Sequence, residues 1–213
     1  MGYQYVAIGG LARSTSKNIY ELLRAVRPVI PEYLELHLFG VARLKPLSAF
    51  RRLGMTSFDS ASYLRRAWLA SGTNYFTLEG TSYTAIRVPP VDGHGVRVKR
   101  MMEQSNRSKD DFRELEQAAL ESLRRYDKGL ASLEETLEKV LKYDDFIGDG
   151  RDRHAEMYRR VLEDKPWKKC NCKVCRDSGI EVIIFRGNNR NRRRGFHNTH
   201  VFYKLFKNIT REY

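Results

Sequence analysis

All three cysteines of the chain fall within six residues, Cys170-Asn171-Cys172-Lys173-Val174-Cys175, and twenty-one residues separate Cys175 from His197. Three soft thiolates and one imidazole can close a tetrahedral site, the Cys₃His arrangement of structural zinc. A closed four-ligand site leaves no position for substrate, so the metal is expected to hold the fold together and leave chemistry to other residues. The rival explanation is a redox pair with a bystander, or simply buried thiols. An odd cysteine count with none elsewhere argues against a disulfide framework. The fourth ligand is His197 or His200, because an extended segment could present either imidazole. His37, His94 and His154 are remote in sequence and read as surface or core histidines.

The 213 residues suffice for one sizeable domain with an appended lobe. A formal charge of +13 favours a polyanion as partner. Nucleic acid comes before membrane, since no long apolar span or basic amphipathic anchor is visible. Met1-Gly2-Tyr3-Gln4-Tyr5-Val6 is neither a charged leader with an apolar run nor a myristoylation pattern, so the expected compartment is the cytoplasm. The charge is concentrated. Arg186, Arg190, Arg192, Arg193 and Arg194 crowd together with Asn188, Asn189 and Asn191, and Lys165, Lys168, Lys169 and Lys173 surround the cysteines. Arginine forks and short amides on a glycine-bounded loop suit phosphate oxygens; the plainer alternative is a solvated basic loop.

Along the chain, Tyr5-Val6-Ala7-Ile8 reads as a short buried strand running into Gly9-Gly10-Leu11-Ala12, a turn where the main chain can approach a ligand closely. A helix over 17–26 follows, capped by Ser14, Thr15 or Ser16, with Ile19, Leu22, Leu23 and Val26 on one face. Residues 34–41 form a second strand, 45–53 a weak helix, and 57–60 a third strand end that carries Asp59. Strand, loop, helix and strand in this order point to parallel β/α units, whose loops at the strand carboxyl ends hold the active site in barrel folds. Asp59 sits where such a barrel places a catalytic group; it also suits an N-cap for a helix over 61–69. Residues 75–78 and 83–88 look like paired strands around Glu79-Gly80-Thr81-Ser82. Three helices follow, over 108–126 with Phe112, Leu115, Ala119 and Leu123 on one face, from Ser132 with a Glu135 capping box to 143, and over 153–162. A final short helix covers 202–209.

Val6-Ala7-Ile8-Gly9-Gly10-Leu11-Ala12, Leu38-Phe39-Gly40-Val41 and Phe58-Asp59-Ser60 resemble, in this order, the base-pocket loop, the following strand and the nucleophile loop of the tRNA-guanine transglycosylases. Cys-x-Cys-x-x-Cys with a later His-Asn resembles that family's zinc subdomain. Those enzymes are (β/α)₈ barrels that exchange a guanine in a polynucleotide for a 7-deazaguanine. Residues 185–198 and 60–67 look most like the DNA-modifying branch, which inserts bases such as preQ₀ into DNA. The resemblance implies an α/β fold: the carboxyl-terminal half of a TIM barrel over 1–100, a helical insert over 101–165, and a Cys₃His zinc and basic-loop region over 166–213. It gives Asp59 the role of nucleophile on C1′ of the target nucleotide, and Gly9, Gly10, Leu11 and Ala12 that of the substrate-base border. Cys170, Cys172, Cys175 and His197 match the zinc ligands. Arg65, Arg66, Arg186, Arg190, Arg192, Arg193 and Arg194 become the nucleic-acid contacts.

The chain departs from the family in one large respect. Family members carry a second aspartate, the general base, well upstream of the base-pocket loop, which here lies at 6–12. A full eight-unit barrel takes roughly 250 residues. The first half of the barrel is therefore expected from another polypeptide, or the chain is truncated, or it only binds. The alternatives to a DNA substrate are a tRNA-directed subunit and a non-catalytic, zinc-stabilised nucleic-acid-binding subunit.

Overall fold

Apolar residues alternate with polar ones along Glu35–Leu38 (β2), and exposure alternates along the more apolar Tyr5–Ile8 (β1); a period of two gives a sheet one apolar face. In the computed structural model, which describes residues 2–69, 72–92, 100, 102–103, 108–147 and 151–211 (of 151–153 and 211 the backbone only), these strands pair in parallel, and β2 pairs in parallel with Met55–Phe58 (β3). His94 lies outside the described residues. Strand order in this sheet is β1-β2-β3. Helix α1, Ser16–Val26, links the first two strands and α2, Leu47–Arg52, the second two. Thr15 is the α1 cap, its hydroxyl accepting from the Asn18 N–H at 3.1 Å.

One face of the sheet is core. Val6, Ile8, Leu36, Leu38, Met55 and Phe58 pack with Ile19 and Leu23 of α1, Leu47 and Phe50 of α2, and with Phe206 and Ile209. The opposite face is polar and partly open: Tyr5 and Ala7 are exposed, and His37 and Ser57 are half-buried. The expectation of a fully buried first strand is corrected accordingly, since β1 alternates in exposure rather than burying both faces. Among the described residues, the parallel β/α arrangement extends to three strands, and helices make up most of the remaining structure. None of those helices is long and apolar enough to cross a membrane.

The chain divides into two compact units, Met1–Tyr63 with Phe202–Tyr213, and Leu64–Val201. Helix α3, Ser62–Leu69, leads into the second unit. There Tyr75–Phe76 (β4) and Ser82–Tyr83 (β5) form an antiparallel hairpin, but Ile86–Arg87 (β6) does not extend it. It pairs in parallel with Ile184–Phe185 (β7), the Ile86 N–H donating to the Ile183 carbonyl at 2.9 Å. The expected strand over 83–88 is thus split, because Ile86 and Val88 are buried by a distant apolar segment.

Helices α4 (Lys109–Asp127), α5 (Leu133–Phe146) and α6 (Arg151–Asp164) match the expected three. Ser108 and Asp111 close a capping box on α4, and the Ser132 hydroxyl accepts from the Glu135 N–H on α5. Phe112, Leu123, Val140, Tyr143, Tyr158 and Leu162 share one core with Ile86, Trp167, Cys175 and Ile180. Helical region and cysteine region are therefore packed as one body. Buried charge is paired across them, with Glu116 bonded to the Arg186 guanidinium and accepting from the Val91 N–H at 2.5 Å.

The basic run is helical, not a loop. After Gly187, whose φ of +61° starts the turn, a 25-residue helix (α9) covers Gly187–Arg211 and absorbs the separate helix expected at 202–209. Gly195 is no loop boundary either. A Cβ there would lie 2.7 Å from Leu64 Cδ1 and 3.2 Å from Trp68, so its missing side chain lets α9 approach α3. Arg194 is wholly buried: it donates to the carbonyls of Ala67, Val182 and Ile184 and to Asn191 Oδ1. Burial pulls its pKa down to about 9, and the guanidinium stays charged at neutral pH. Replacing Arg194 by Met, which leaves those carbonyls without their donor, is expected to lower stability by about 2–5 kcal/mol in urea unfolding, against little change for Arg192→Met.

Candidate active site and metal centre

Three turns meet at the carboxyl ends of β1, β2 and β3. Gly10 has a φ of +76° and Gly40 of +72°, so both turns use the left-handed conformation that glycine takes without strain. A Cβ on Gly40 would lie 3.2 Å from Ala12 Cβ, which brings the turn after β1 against the turn after β2. Arg43 ties the same turns together, donating to Ser16 Oγ at 3.0 Å and to the Ser14 carbonyl. Leu11 turns its side chain into the core, Ala12 remains exposed, and a Cβ on Gly9 or Gly10 would meet no atom within 4 Å.

Asp59 follows β3 and reaches back to this junction. Its Oδ1 accepts from the Gly40 N–H at 2.8 Å and lies 3.4 Å from His37 Nε2. The Gly40 N–H, against an opposing effect of desolvation and with smaller contributions from His37, holds the carboxyl below the usual aspartate range. The side chain is 61% exposed, so an ionised carboxylate is presented to the space beyond the strand ends. Asp59 is thus held by the turn after β2. His37 was not expected here. Its only signal in the sequence is the strand period, which puts it on the face opposite Leu36 and Leu38.

In the second unit, the cysteine ligands sit on two short helices, α7 (Pro166–Lys169) and α8 (Lys173–Ser178). Cys170 ends α7, Cys172 caps α8 and Cys175 lies within it. His197 comes from α9. Its Nδ1 is 3.6 Å from Cys170 Sγ, 3.4 Å from Cys172 Sγ and 3.3 Å from Cys175 Sγ, and the four ligand atoms all lie within 4.8 Å of one another. A tetrahedral ion with bonds of about 2.0–2.3 Å needs ligand atoms roughly 3.4–3.8 Å apart, so the set fits a metal. His200 is one turn further along the helix and is not part of the cluster. The helical backbone, where an extended one was expected, decides between the two.

The surroundings orient these ligands. His197 Nε2 donates to the Phe76 carbonyl at 2.7 Å, which leaves Nδ1 as the coordinating nitrogen. Tyr75 stacks on the imidazole at 3.9 Å and 12°, with its hydroxyl 3.3 Å from Cys175 Sγ. Burial raises the Tyr75 phenol far above its ordinary pKa, so it remains a donor. Hydrogen bonds from Cys172 and Cys175 push the Cys170 thiol down toward the thiolate that a metal requires. Asn198 clips β4 to α9, accepting from the Phe76 N–H at 3.1 Å and donating to the Asn74 carbonyl at 2.8 Å.

The arginines divide by environment. Arg186 is bonded to Glu116, Arg190 to Glu181, and Arg194 is buried, whereas Arg65, Arg66, Arg192 and Arg193 are exposed. Arg66 lies over the Phe76 ring, 5.6 Å from its centroid. The spacing of charges in the sequence could not distinguish these fates. His154 is a core residue, bonded through Nδ1 to buried Asp144 at 2.6 Å and stacked on Tyr158.

Metal analysis of the purified chain is expected to find about one bound ion per chain. Cys172→Ala should lose the ion together with a cooperative unfolding transition, and retention of the ion would count against the four-ligand site.

No family model matches the chain. It is 42% identical over 207 residues, 95% of its length, to a DNA-guanine transglycosylase of Salmonella montevideo, and the match spans 49% of that protein. The chain thus corresponds to about half the length of the curated relative that it matches. Over nearly all its residues it is a homologue of part of a DNA-guanine transglycosylase, which bears out the transglycosylase resemblance read from its sequence.

Proposed function

We propose that the chain carries part of a base-exchange transglycosylase that replaces guanine in DNA with a 7-deazaguanine such as preQ₀. The observation that carries this reading is Asp59: an accessible, ionised carboxylate held by a main-chain N–H at the carboxyl end of a parallel strand, in a homologue of a DNA-guanine transglycosylase. In the proposed reaction an Asp59 oxygen bonds to C1′ as the C1′–N9 bond breaks. Guanine leaves with the electron pair and gains a proton at N9. The incoming base then loses its N9 proton, attacks C1′ and displaces the carboxylate. The target nucleotide must leave the base stack to reach this position.

In this reading the turn Gly9-Gly10-Leu11-Ala12 borders the base with its main chain, which the open space beside Gly9 and Gly10 permits. The metal at Cys170, Cys172, Cys175 and His197 is structural zinc, since the donor set fills all four positions. It supplies no step. The three parallel strands belong to a barrel whose remaining units, with the second acid, come from residues outside this sequence, on a separate chain or a longer one. The match to half of a relative supports that assignment. Arg65, Arg66, Arg192 and Arg193, the exposed members of the basic set, are the backbone contacts to DNA.

Two experiments test the proposal. With the complementary half supplied, labelled guanine or preQ₀ should enter duplex DNA and not tRNA. Asp59→Ala should cut exchange by at least ~10³-fold while polynucleotide affinity persists; undiminished exchange removes Asp59 as nucleophile, and entry into tRNA moves the substrate to the tRNA branch. Separately, changing Arg192 and Arg193 to Ala should weaken DNA binding and lower the slope of log K against log salt by about 2, with an unaltered slope leaving these side chains without a role.

A further inference from the structure

The open face of the three-stranded sheet carries a cross-strand row of polar side chains, one from each strand. In the pairing register Ala7 and Ser57 both lie opposite His37, and Tyr5 is two residues before Ala7 on the same face. The Tyr5 hydroxyl contacts Ser57 Oγ, Ser57 Oγ lies 2.7 Å from His37 Nδ1, and His37 Nε2 lies 3.4 Å from Asp59 Oδ1. We propose that this row is a directed hydrogen-bond chain, Tyr5 to Ser57 to His37 to Asp59, and that His37 is the positioning residue of the Asp59 carboxylate.

The direction follows from the donor inventory. An ionised carboxylate only accepts, so His37 must donate from Nε2. In the Nε2–H tautomer Nδ1 is the acceptor, and the Ser57 hydroxyl fills it as donor. Ser57 Oγ is left to accept, and the Tyr5 hydroxyl donates to it. The Tyr5 hydroxyl also lies 3.5 Å from His37 Nδ1, the longer of its two contacts, so its single proton is assigned to Ser57 Oγ. Phe39 packs edge-on against the imidazole at 4.8 Å and 68°, limiting its rotation. The Gly40 N–H and His37 Nε2 both address Oδ1 of Asp59, so neither engages Oδ2 of this largely exposed side chain. A carboxylate held through one oxygen presents the other in a fixed direction, and that is the geometry an attack on C1′ needs. The 3.4 Å contact is longer than an ordinary N–H···O bond, as catalytic hydrogen bonds commonly are before substrate is in place.

The inference rests on Asp59 being the nucleophile, but its first test does not. Carboxylate NMR on this chain should show the Asp59 titration midpoint rising in His37→Phe, which keeps the ring and removes the donor. It should stay near the unsubstituted value in His37→Gln, whose amide can supply an N–H close to the Nε2 position. Ser57→Ala, which removes the donor to Nδ1 without touching Asp59, should shift the His37 tautomer toward Nδ1–H in nitrogen NMR. An Asp59 midpoint identical in the parent and His37→Phe, or a tautomer unmoved by Ser57→Ala, would overturn the chain. In the complete enzyme His37→Phe should slow formation of the trapped DNA adduct by about 100-fold with the KM for DNA little altered. Base exchange surviving Asp59→Ala would instead remove the nucleophile while leaving the NMR result intact.

Discussion

His197 is engaged on both edges of its ring, and the second compact unit is organised by that engagement. One nitrogen faces three thiols contributed by α7 and α8, and the other donates to the carbonyl of Phe76 on β4. A side chain of α9 thereby fixes a hairpin and two short helices at once. The short helices could not persist alone, since four and six residues are far below the length at which a helix is stable in water. Asn198 and Arg194 extend the same principle along α9, with buried side chains that satisfy main-chain groups of β4, of α3 and of the segment leading into β7. Much of the density of positive charge in this stretch is thus spent on internal carbonyls and carboxylates, and only part of it faces solvent.

The first unit obeys a different constraint. A parallel strand is usually buried on both faces, yet β1 and β2 bury one face and keep polar groups on the other. The buried face is closed by α1, α2 and the end of α9. The polar face gathers Tyr5, His37 and Ser57, with Asp59 just beyond the strand ends. Such a sheet combines a rigid apolar backing with a row of side chains whose hydrogen bonds run across the strands. Chemistry placed at the strand ends inherits the precision of the core behind it.

The fate of single residues followed how local their determinants are. The cap at Thr15, the Ser108 box and the three central helices were legible because each depends on contacts within one or two turns. The cysteine spacing disclosed a four-ligand site, but the choice of His197 over His200 required knowing that the segment is helical. Residues 186–194 were misread as a loop because a run of arginine and asparagine between two glycines has no apolar period, and the residues that fix it, Ala67, Val182 and Ile184, are distant in sequence. The split of 83–88 into β5 and β6 has the same origin, in a pairing with residues 184–185.

By itself the sequence determined the kinds of groups available: a soft donor set, an acid after a short strand, glycine turns and an excess of arginine, along with a likeness to one enzyme family. These are properties of composition and short-range spacing. Tertiary structure alone decided which arginines are buried, which imidazole meets the thiols, and that His37, an unremarkable strand residue, lies beside Asp59. Those outcomes depend on strand register and helix packing between segments tens of residues apart, where desolvation and hydrogen-bond geometry, absent from any local pattern, select one partner among several of the same chemistry.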